Sequence, residues 1–317
     1  LKDTRILFMG TPDFATQSLE ALITNGYQVV GVVTQPDRPV GRKRVLTPPP
    51  VKELALRHGL PVYQPEKIRE SEAVQSVLDA TRPDLIVTAA YGQILPVSLL
   101  EAPKHGCINI HASLLPKYRG GAPIHASIIN GEKETGVTIM YMVQALDAGD
   151  MISKVIVPIE ERDTVASMFE KLATAGADLL IETLPKLLKG EITPEPQNHE
   201  EATFAPNIKR ENERLDWNKS AREIYNQVRG MNSWPVAFTT FEGKVWKVWW
   251  AEVVELAGQL ATPGTIIGRT EEGLIIACGA GSIILKEIQP EGKKRMSVYD
   301  FLRGAGASIA SGSKVGE

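Results

Sequence analysis

Apolar and polar positions change period along this chain. In its first third, short runs of near-continuous Ile, Val and Leu alternate with stretches whose apolar residues recur with helical spacing. The runs RILFMG (5 to 10), QVVGVVT (28 to 34), PVYQ (61 to 64), DLIVTAA (84 to 90) and CINIH (107 to 111) predict strands covered on both faces by helices. Between them, DFATQSLEALITNG sets Phe14, Leu19, Leu22 and Ile23 on one helical face and stops at Gly26; Val51 to His58 and Ser71 to Ala80 predict two more helices. This alternation predicts βαβ units and a parallel sheet. GVTIMYM (136 to 142) and MISKVIVPI (151 to 159) are candidate extensions of that sheet, and a long helix is expected from about Thr164 to Leu188.

The pattern then lapses. KGEITPEPQNHEEATFAPNIK is rich in Pro and acids and aperiodic, as inter-domain linkers are. Beyond it SAREIYNQVRGM predicts a helix, and from Ala237 to Gln289 five short β-rich runs recur between Gly-containing turns, predicting a small antiparallel barrel. Within KVWKVWWAEVV, strand alternation sets Trp246 and Trp250 together toward a core and Trp249 opposite. The tail GAGASIASGSKVGE is expected to be poorly ordered.

A length of 317 residues suits two domains, consistent with that break in pattern. No apolar stretch is long enough to span a membrane, and no basic segment followed by an apolar run and a cleavage site opens the sequence, so no membrane partner and a cytoplasmic location are expected. Cys107 and Cys278 stand far apart and alone, which argues against a disulfide framework or a cysteine zinc site and for two core thiols. The net charge of −3 is uneven: residues 1 to 204 carry 20 Lys and Arg against 25 Asp and Glu, and residues 205 to 317 carry 15 against 13. The second part thus permits a polyanionic partner without requiring one.

The chemistry concentrates in INIHASLLPKYRG, 108 to 120. Alternation turns Asn109 and His111 to one face at a strand's carboxyl end, where open α/β sheets place their ligand crevice. An isolated Asn-x-His reads equally well as a buried polar pair satisfied by backbone. QALDAGD, 144 to 150, adds Asp147 on a flexible loop, a carboxylate able to fix an imidazole tautomer, stabilise its protonated form and take a proton from an amine. No serine or cysteine is placed as a covalent nucleophile and no ligand cluster suggests a metal, so the trio suits direct attack of a substrate amine on an acyl donor.

INIHASLLPKYRGGAPI (108 to 124), followed by TGVTIMYM (135 to 142) and LDAGD (146 to 150), resembles the folate-dependent formyltransferases. The resemblance implies a Rossmann-like formyltransferase domain over 1 to 189, a linker over 190 to 207 and an OB-like barrel domain over 208 to 317 that binds tRNA. It implies that Asn109, His111 and Asp147 are catalytic and that the turn Ser113, Leu114, Leu115 and Pro116 contacts folate, with Tyr91, Gly92 and Ile94 completing the folate crevice. It also implies 10-formyltetrahydrofolate as co-substrate, with no metal. Further landmarks, ILFMGTPDFA (6 to 15), TQPDRPVGRKRVLTPPPVK (34 to 52), AAYGQILP (89 to 96), LDWNKSA (215 to 221) and PEGKKRMS (290 to 297), resemble the branch of that family whose acceptor is charged initiator Met-tRNA. A monomer is expected.

Three alternatives are weighed against this. A dinucleotide-binding dehydrogenase lacks its fingerprint, since Gly10-Thr11-Pro12-Asp13-Phe14-Ala15 is not Gly-x-Gly-x-x-Gly. Formyltransferases acting on an amino sugar or a purine ribonucleotide would share the catalytic trio, but DRPVGRKR (37 to 44) sets Arg38, Arg42, Lys43 and Arg44 on a Pro/Gly-bounded loop after the second strand. Such a run is commonly a solvated loop; beside an active site it can track a phosphate backbone, and the resemblance makes it the inserted loop used on tRNA. GKKR adds Lys293, Lys294 and Arg295 in the barrel, where a solvated turn is the plainer reading. A non-enzymatic RNA-binding protein would require a change in the trio, which is intact.

Overall fold

All five apolar runs of the first part form strands. The computed structural model describes residues 1–256 and 261–317. In chain order, β1 (Arg5–Gly10), α1 (Asp13–Thr24) and β2 (Gln28–Val33) lead into a small hairpin of β3 (Arg38–Val40) and β4 (Val45–Thr47). Then come α2 (Pro50–Arg57), β5 (Val62–Tyr63), α3 (Ser71–Thr81), β6 (Leu85–Ala89), α4 (Val97–Leu100) and β7 (Cys107–His111). The run closes with α5 (Pro123–Ile129), β8 (Glu134–Tyr141), β9 (Met151–Pro158) and α6 (Val165–Leu188). The chain divides into two units, one of Leu1–Pro123, Glu134–Pro158 and Phe169–Ala205, the other of Ile124–Lys133, Ile159–Met168 and Pro206–Glu317.

The first unit is built on a seven-stranded sheet of order β5-β2-β1-β6-β7-β8-β9. Pairings from β5 through β7 are parallel; β7–β8 and β8–β9 are antiparallel. Ile6 to Met9 in the centre are fully buried, as a strand covered on both faces requires, whereas β9 alternates half-buried and exposed residues along its second half. The expected parallel sheet is therefore mixed: β8 and β9 join through a short connection, which only antiparallel neighbours allow. That connection, residues 142 to 150, carries Asp147. On α1, Phe14, Leu19 and Leu22 are buried and Ile23 is half-buried.

Two expectations are corrected here. The basic segment at 37 to 44, read as a Pro/Gly-bounded loop, lies in the exposed two-stranded hairpin β3–β4, in register Arg38↔Thr47, Pro39↔Leu46 and Val40↔Val45. Its turn uses left-handed Gly41 and Arg44 (φ 76° and 54°). The segment 190 to 205, read as part of a linker, lies along the first unit: Glu195 pairs with Met151, and the backbone of Arg119 bonds Thr203 and Ala205. Acidic, proline-rich composition did not reveal those partners, because they are distant in sequence.

The second unit contains α7 (Arg210–Glu213), α8 (Ala221–Gly230), β10 (Ala237–Phe241), β11 (Lys244–Val254), β12 (Ile266–Thr270), β13 (Gly273–Ala277), β14 (Ser282–Pro290), β15 (Met296–Ser297) and α9 (Val298–Leu302). Helix α8 starts with a reciprocal capping box between Ser220 and Glu223, readable in SARE. The strands form one antiparallel sheet of order β10-β11-β14-β13-β12, with β15 on β14. Its core includes Ile224, Val228, Trp246, Val248, Leu274, Ile283, Leu285, Ile288 and Phe301.

A bulge in β11 between Val248 and Ala251 shifts the inward phase, so Ala251 is fully buried and Trp250 sits at the core's edge against Tyr225. Trp246 packs inside on Phe241 and Phe301, and Trp249 faces the other way. The tail, expected to be poorly ordered, is bound to both edge strands: Ser313 and Gly312 pair with Ile266 of β12, and Gly316 N–H donates to Thr240 of β10. Val315 is buried between them. A polar, glycine-rich composition conceals two apolar residues, Ile309 and Val315, and a backbone free to satisfy exposed edges.

Candidate active site

Strands β1, β6 and β7 end side by side, and β7 delivers Asn109 and His111 there two residues apart on one face, roughly 7 Å at the strand repeat. Asn109 is half-buried; its Oδ1 accepts from the hydroxyl of Thr88, its parallel partner on β6, at 2.7 Å. That leaves the amide N–H groups as the donors this side chain presents. His111 is buried, and its Nε2 lies 2.9 Å from the carbonyl oxygen of Tyr118. A carbonyl only accepts, so Nε2 carries the hydrogen and Nδ1 is the nitrogen left to gain or lose a proton.

Nδ1 faces Asp147 Oδ2 at 3.7 Å, and both side chains are largely shielded from water. The same Oδ2 accepts from the backbone N–H of Gly120 at 2.8 Å. Gly120 has φ +119°, and a Cβ there would lie 2.7 Å from the carbonyl oxygen of Ala205, so only glycine fits. The carboxylate therefore confronts an imidazole nitrogen without bonding it in the neutral state, and can balance the charge when Nδ1 is protonated. Histidine and carboxylate come together from β7 and the β8–β9 connection, as the sequence suggested. The pieces it did not reveal are Thr88, a lone hydroxyl in an apolar strand, and Gly120, one of two adjacent glycines whose need becomes visible only beside Ala205.

The residues expected to hold folate occupy unequal positions. Tyr91 is buried in the core with Leu95 and Leu99, its hydroxyl has no hydrogen-bond partner among the described residues, and burial pushes its pKa up to about 12. Gly92 is exposed with φ +99°, where a Cβ would meet the Gln35 side chain at 2.8 Å, and Ile94 is 83% exposed. In the turn, Ser113 and Leu115 are buried, Ser113 Oγ donating to the Lys117 carbonyl, while Leu114 and Pro116 are half-buried. Of these residues Gly92 and Ile94 are thus exposed, Leu114 and Pro116 half-buried, and Tyr91, Ser113 and Leu115 buried.

The basic residues also differ. Arg42, Lys43 and Arg44 are exposed, and among the described residues no carboxylate lies within ion-pair distance of them. Arg38 meets Glu66 at 3.5 Å, both exposed. The base of the hairpin is fixed by Asp37, which Gln64 and Lys52 bond; these two donors hold its carboxyl below the usual range. In the second unit Lys293 and Lys294 are exposed and without ion pairs among the described residues, whereas Arg295 is paired with Glu287 and lies 4.1 Å over the Trp249 ring. Among the described residues no three His, Cys, Asp or Glu side chains are grouped to hold a metal ion, and no helix is long and apolar enough to cross a membrane.

Comparison with known proteins adds independent findings. Residues 4–184 match the family model of the formyl transferases, and residues 207–306 match that of the formyl transferase C-terminal domain. The chain is 59% identical to a methionyl-tRNA formyltransferase of Geobacillus thermodenitrificans over 99% of this chain and 98% of that one. It is 61% identical to that of Bacillus subtilis over 95% of each. Among solved structures, an N-formyltransferase from Helicobacter canadensis in complex with folinic acid and dTDP-3-aminofucose superimposes with a TM-score of 0.65 at 19% identity, over 89% of this chain and 98% of that one. HypX from Aquifex aeolicus in complex with tetrahydrofolic acid gives a TM-score of 0.64 at 19% identity, over 94% of this chain but only 46% of HypX. At such identities these structures share the fold. Matched through both domains and aligned nearly end to end with the bacterial enzymes, the chain belongs to the formyl transferase family.

Proposed function

We propose that this protein transfers the formyl group of 10-formyltetrahydrofolate to the α-amino group of charged initiator Met-tRNA, as a monomer in the cytoplasm where that acceptor is used. The observation that carries the reading is the Asn109, His111 and Asp147 arrangement at the carboxyl edge of the sheet, in a chain about 60% identical to methionyl-tRNA formyltransferases. Formyl transfer to an amine needs a donor for the carbonyl oxygen as it gathers negative charge, a base for the amine proton, and an acid for the departing nitrogen. The Asn109 amide, held at Oδ1 by Thr88, supplies the first. Asp147 takes the amine proton, directly or through water, and passes it to the facing Nδ1 of His111, which hands it to the departing nitrogen as the C–N10 bond breaks, while Nε2–H stays on the Tyr118 carbonyl.

Exposed Gly92 and Ile94 and half-buried Leu114 are the apolar and main-chain groups that would meet a flat heterocycle such as a pterin. Tyr91, Ser113 and Leu115, all buried, keep those groups in position, and half-buried Pro116 joins the surface offered to folate. Arg42, Lys43 and Arg44, together with Lys293 and Lys294, provide uncompensated positive charge for the tRNA backbone. Arg38 and Arg295 contribute less, because each is engaged by a glutamate.

The test sets three acceptors side by side with 10-formyltetrahydrofolate: charged initiator Met-tRNA, charged elongator Met-tRNA and free methionine. Product on the initiator alone is expected. Donor turnover on a small amine but on neither tRNA would overturn the acceptor and leave the family chemistry intact.

A further inference from the structure

Asp147 has φ +49°, a left-handed conformation that a residue with a Cβ adopts at a cost unless its surroundings hold it. Its side chain is held by Gly120. Its backbone is held from a segment that composition marks as linker: Gln197 Nε2 donates to the carbonyl oxygens of both Asp147 and Gly149, each at 2.8 Å. One amide nitrogen thereby uses its two hydrogens to staple the Asp147 loop on either side of Ala148.

The amide can do this only in one orientation, and Arg119 sets it. Arg119 Nε and Nη2 both donate to Gln197 Oε1, at 3.2 and 2.8 Å. A guanidinium has no acceptor, so the oxygen of Gln197 must face it and the NH2 must face the loop. Arg119 Nη2 also reaches His199 Nδ1 at 2.9 Å, which for the same reason is the unprotonated nitrogen. Arg119 is 6% exposed and Gln197 5%, and among the described residues no carboxylate lies within ion-pair distance of the guanidinium. A buried arginine without a counter-ion is costly, and here its donors are spent on orienting a neutral amide. Arg119 is also the residue directly before Gly120, so the group that bonds the Asp147 carboxylate and the group that orients Gln197 on its backbone belong to adjacent residues.

We infer that Gln197, oriented by Arg119, is a positioning residue that holds Asp147 in its left-handed turn and aims its carboxylate at His111. The inference rests on the proposed role of Asp147 in formyl transfer, and it goes beyond that role by assigning buried residues that act through Asp147.

The experiment compares Gln197→Met, which removes both the acceptor and the donors, with Gln197→Glu, which keeps an acceptor for Arg119 but cannot donate to the two carbonyls. Each is assayed alone and combined with Asp147→Asn. Both single variants are expected to lower kcat on the order of 10- to 100-fold, the scale of a misplaced catalytic group, with KM for folate and tRNA nearly unchanged. In the Asp147→Asn background neither should have a further effect, because a residue acting through Asp147 has nothing left to position. Wild-type kcat in Gln197→Met, or losses that multiply with those of Asp147→Asn, would overturn the inference. A second readout needs no turnover: hydrogen exchange at the Gly120 amide, which bonds Asp147 Oδ2, is expected to quicken in both Gln197 variants. Unchanged Gly120 protection would sink the positioning role even if formyl transfer were established, and absence of transfer by the wild-type protein would sink the functional reading while leaving this measurement decisive for the loop.

Discussion

A single hydroxyl and a single carboxylate show what residue placement contributes here. Thr88 is buried in an apolar strand, and its Oγ1 holds the amide oxygen of Asn109 at 2.7 Å. Thr88→Val keeps the shape and removes the donor, leaving Asn109 free to rotate; we expect kcat to fall about 10-fold, whereas Thr88→Ser, which keeps the hydroxyl, should retain near wild-type turnover. Equal losses in the two variants would point to packing rather than to the hydrogen bond. Asp147→Asn preserves the acceptor for Gly120 and abolishes the proposed base. Its kcat is expected to drop roughly 10²-fold or more, the scale of general acid–base catalysis, and wild-type turnover would remove Asp147 from the chemistry.

Among the elements, the hairpin β3–β4 departs most from its expected form. A basic run bounded by Pro and Gly looks like a solvated loop; pairing of Val40 with Val45 across the Gly41 turn makes it a small ribbon, anchored at its base by Asp37, Gln64 and Lys52. Arg42, Lys43 and Arg44 sit around the turn, so changing the three together to Gln should weaken tRNA binding without affecting folate. The slope of log Kd against log salt for tRNA is expected to flatten by up to about 3. An unchanged slope would mean that these residues contact no phosphate. The tail teaches the same lesson: its sequence is that of a disordered end, yet Val315 and the backbone of residues 312 to 316 bind both edges of the second unit's sheet.

Across the whole molecule, most charge is solvated, and the exceptions decide how stability follows pH. Glu252 accepts from Lys286 at 2.8 Å and from Arg162 at 2.9 Å; these bonds, Lys286 foremost, lower its pKa from 4.5 to about 2 against the opposing effect of burial. A depressed carboxylate stabilises the folded state above its unfolded pKa and loses that contribution as pH falls through the folded one. Glu252→Gln should therefore lower stability by about 1 kcal/mol at neutral pH, given its partial exposure, and the deficit should vanish between about pH 4.5 and pH 2. Thermal unfolding of both proteins across that range measures it; a deficit independent of pH would assign the effect to packing. Both thiols, by contrast, are buried and pushed up to about 12, so neither is an ionised group in the folded protein.

Strands and helices followed from the sequence because their causes are local, while the proposed catalytic trio rested on its motifs' resemblance to a family. Burial on both faces writes continuous Ile/Val/Leu runs, a helical face writes its own period, and Asn109 and His111 share a face because a strand alternates. The bulge after Val248 was not legible, since it inserts one residue without changing composition, and neither was the antiparallel half of the first sheet, which depends on the length of a connection rather than on the strands it joins. Tertiary structure alone decided which nitrogen of His111 is available, that Thr88 and Gly120 hold its partners, and that Arg119 and Gln197, far apart in sequence, meet behind Asp147. A hydrogen bond between distant residues leaves no period and no composition in the chain; it exists only once the backbone has brought donor and acceptor to about 3 Å.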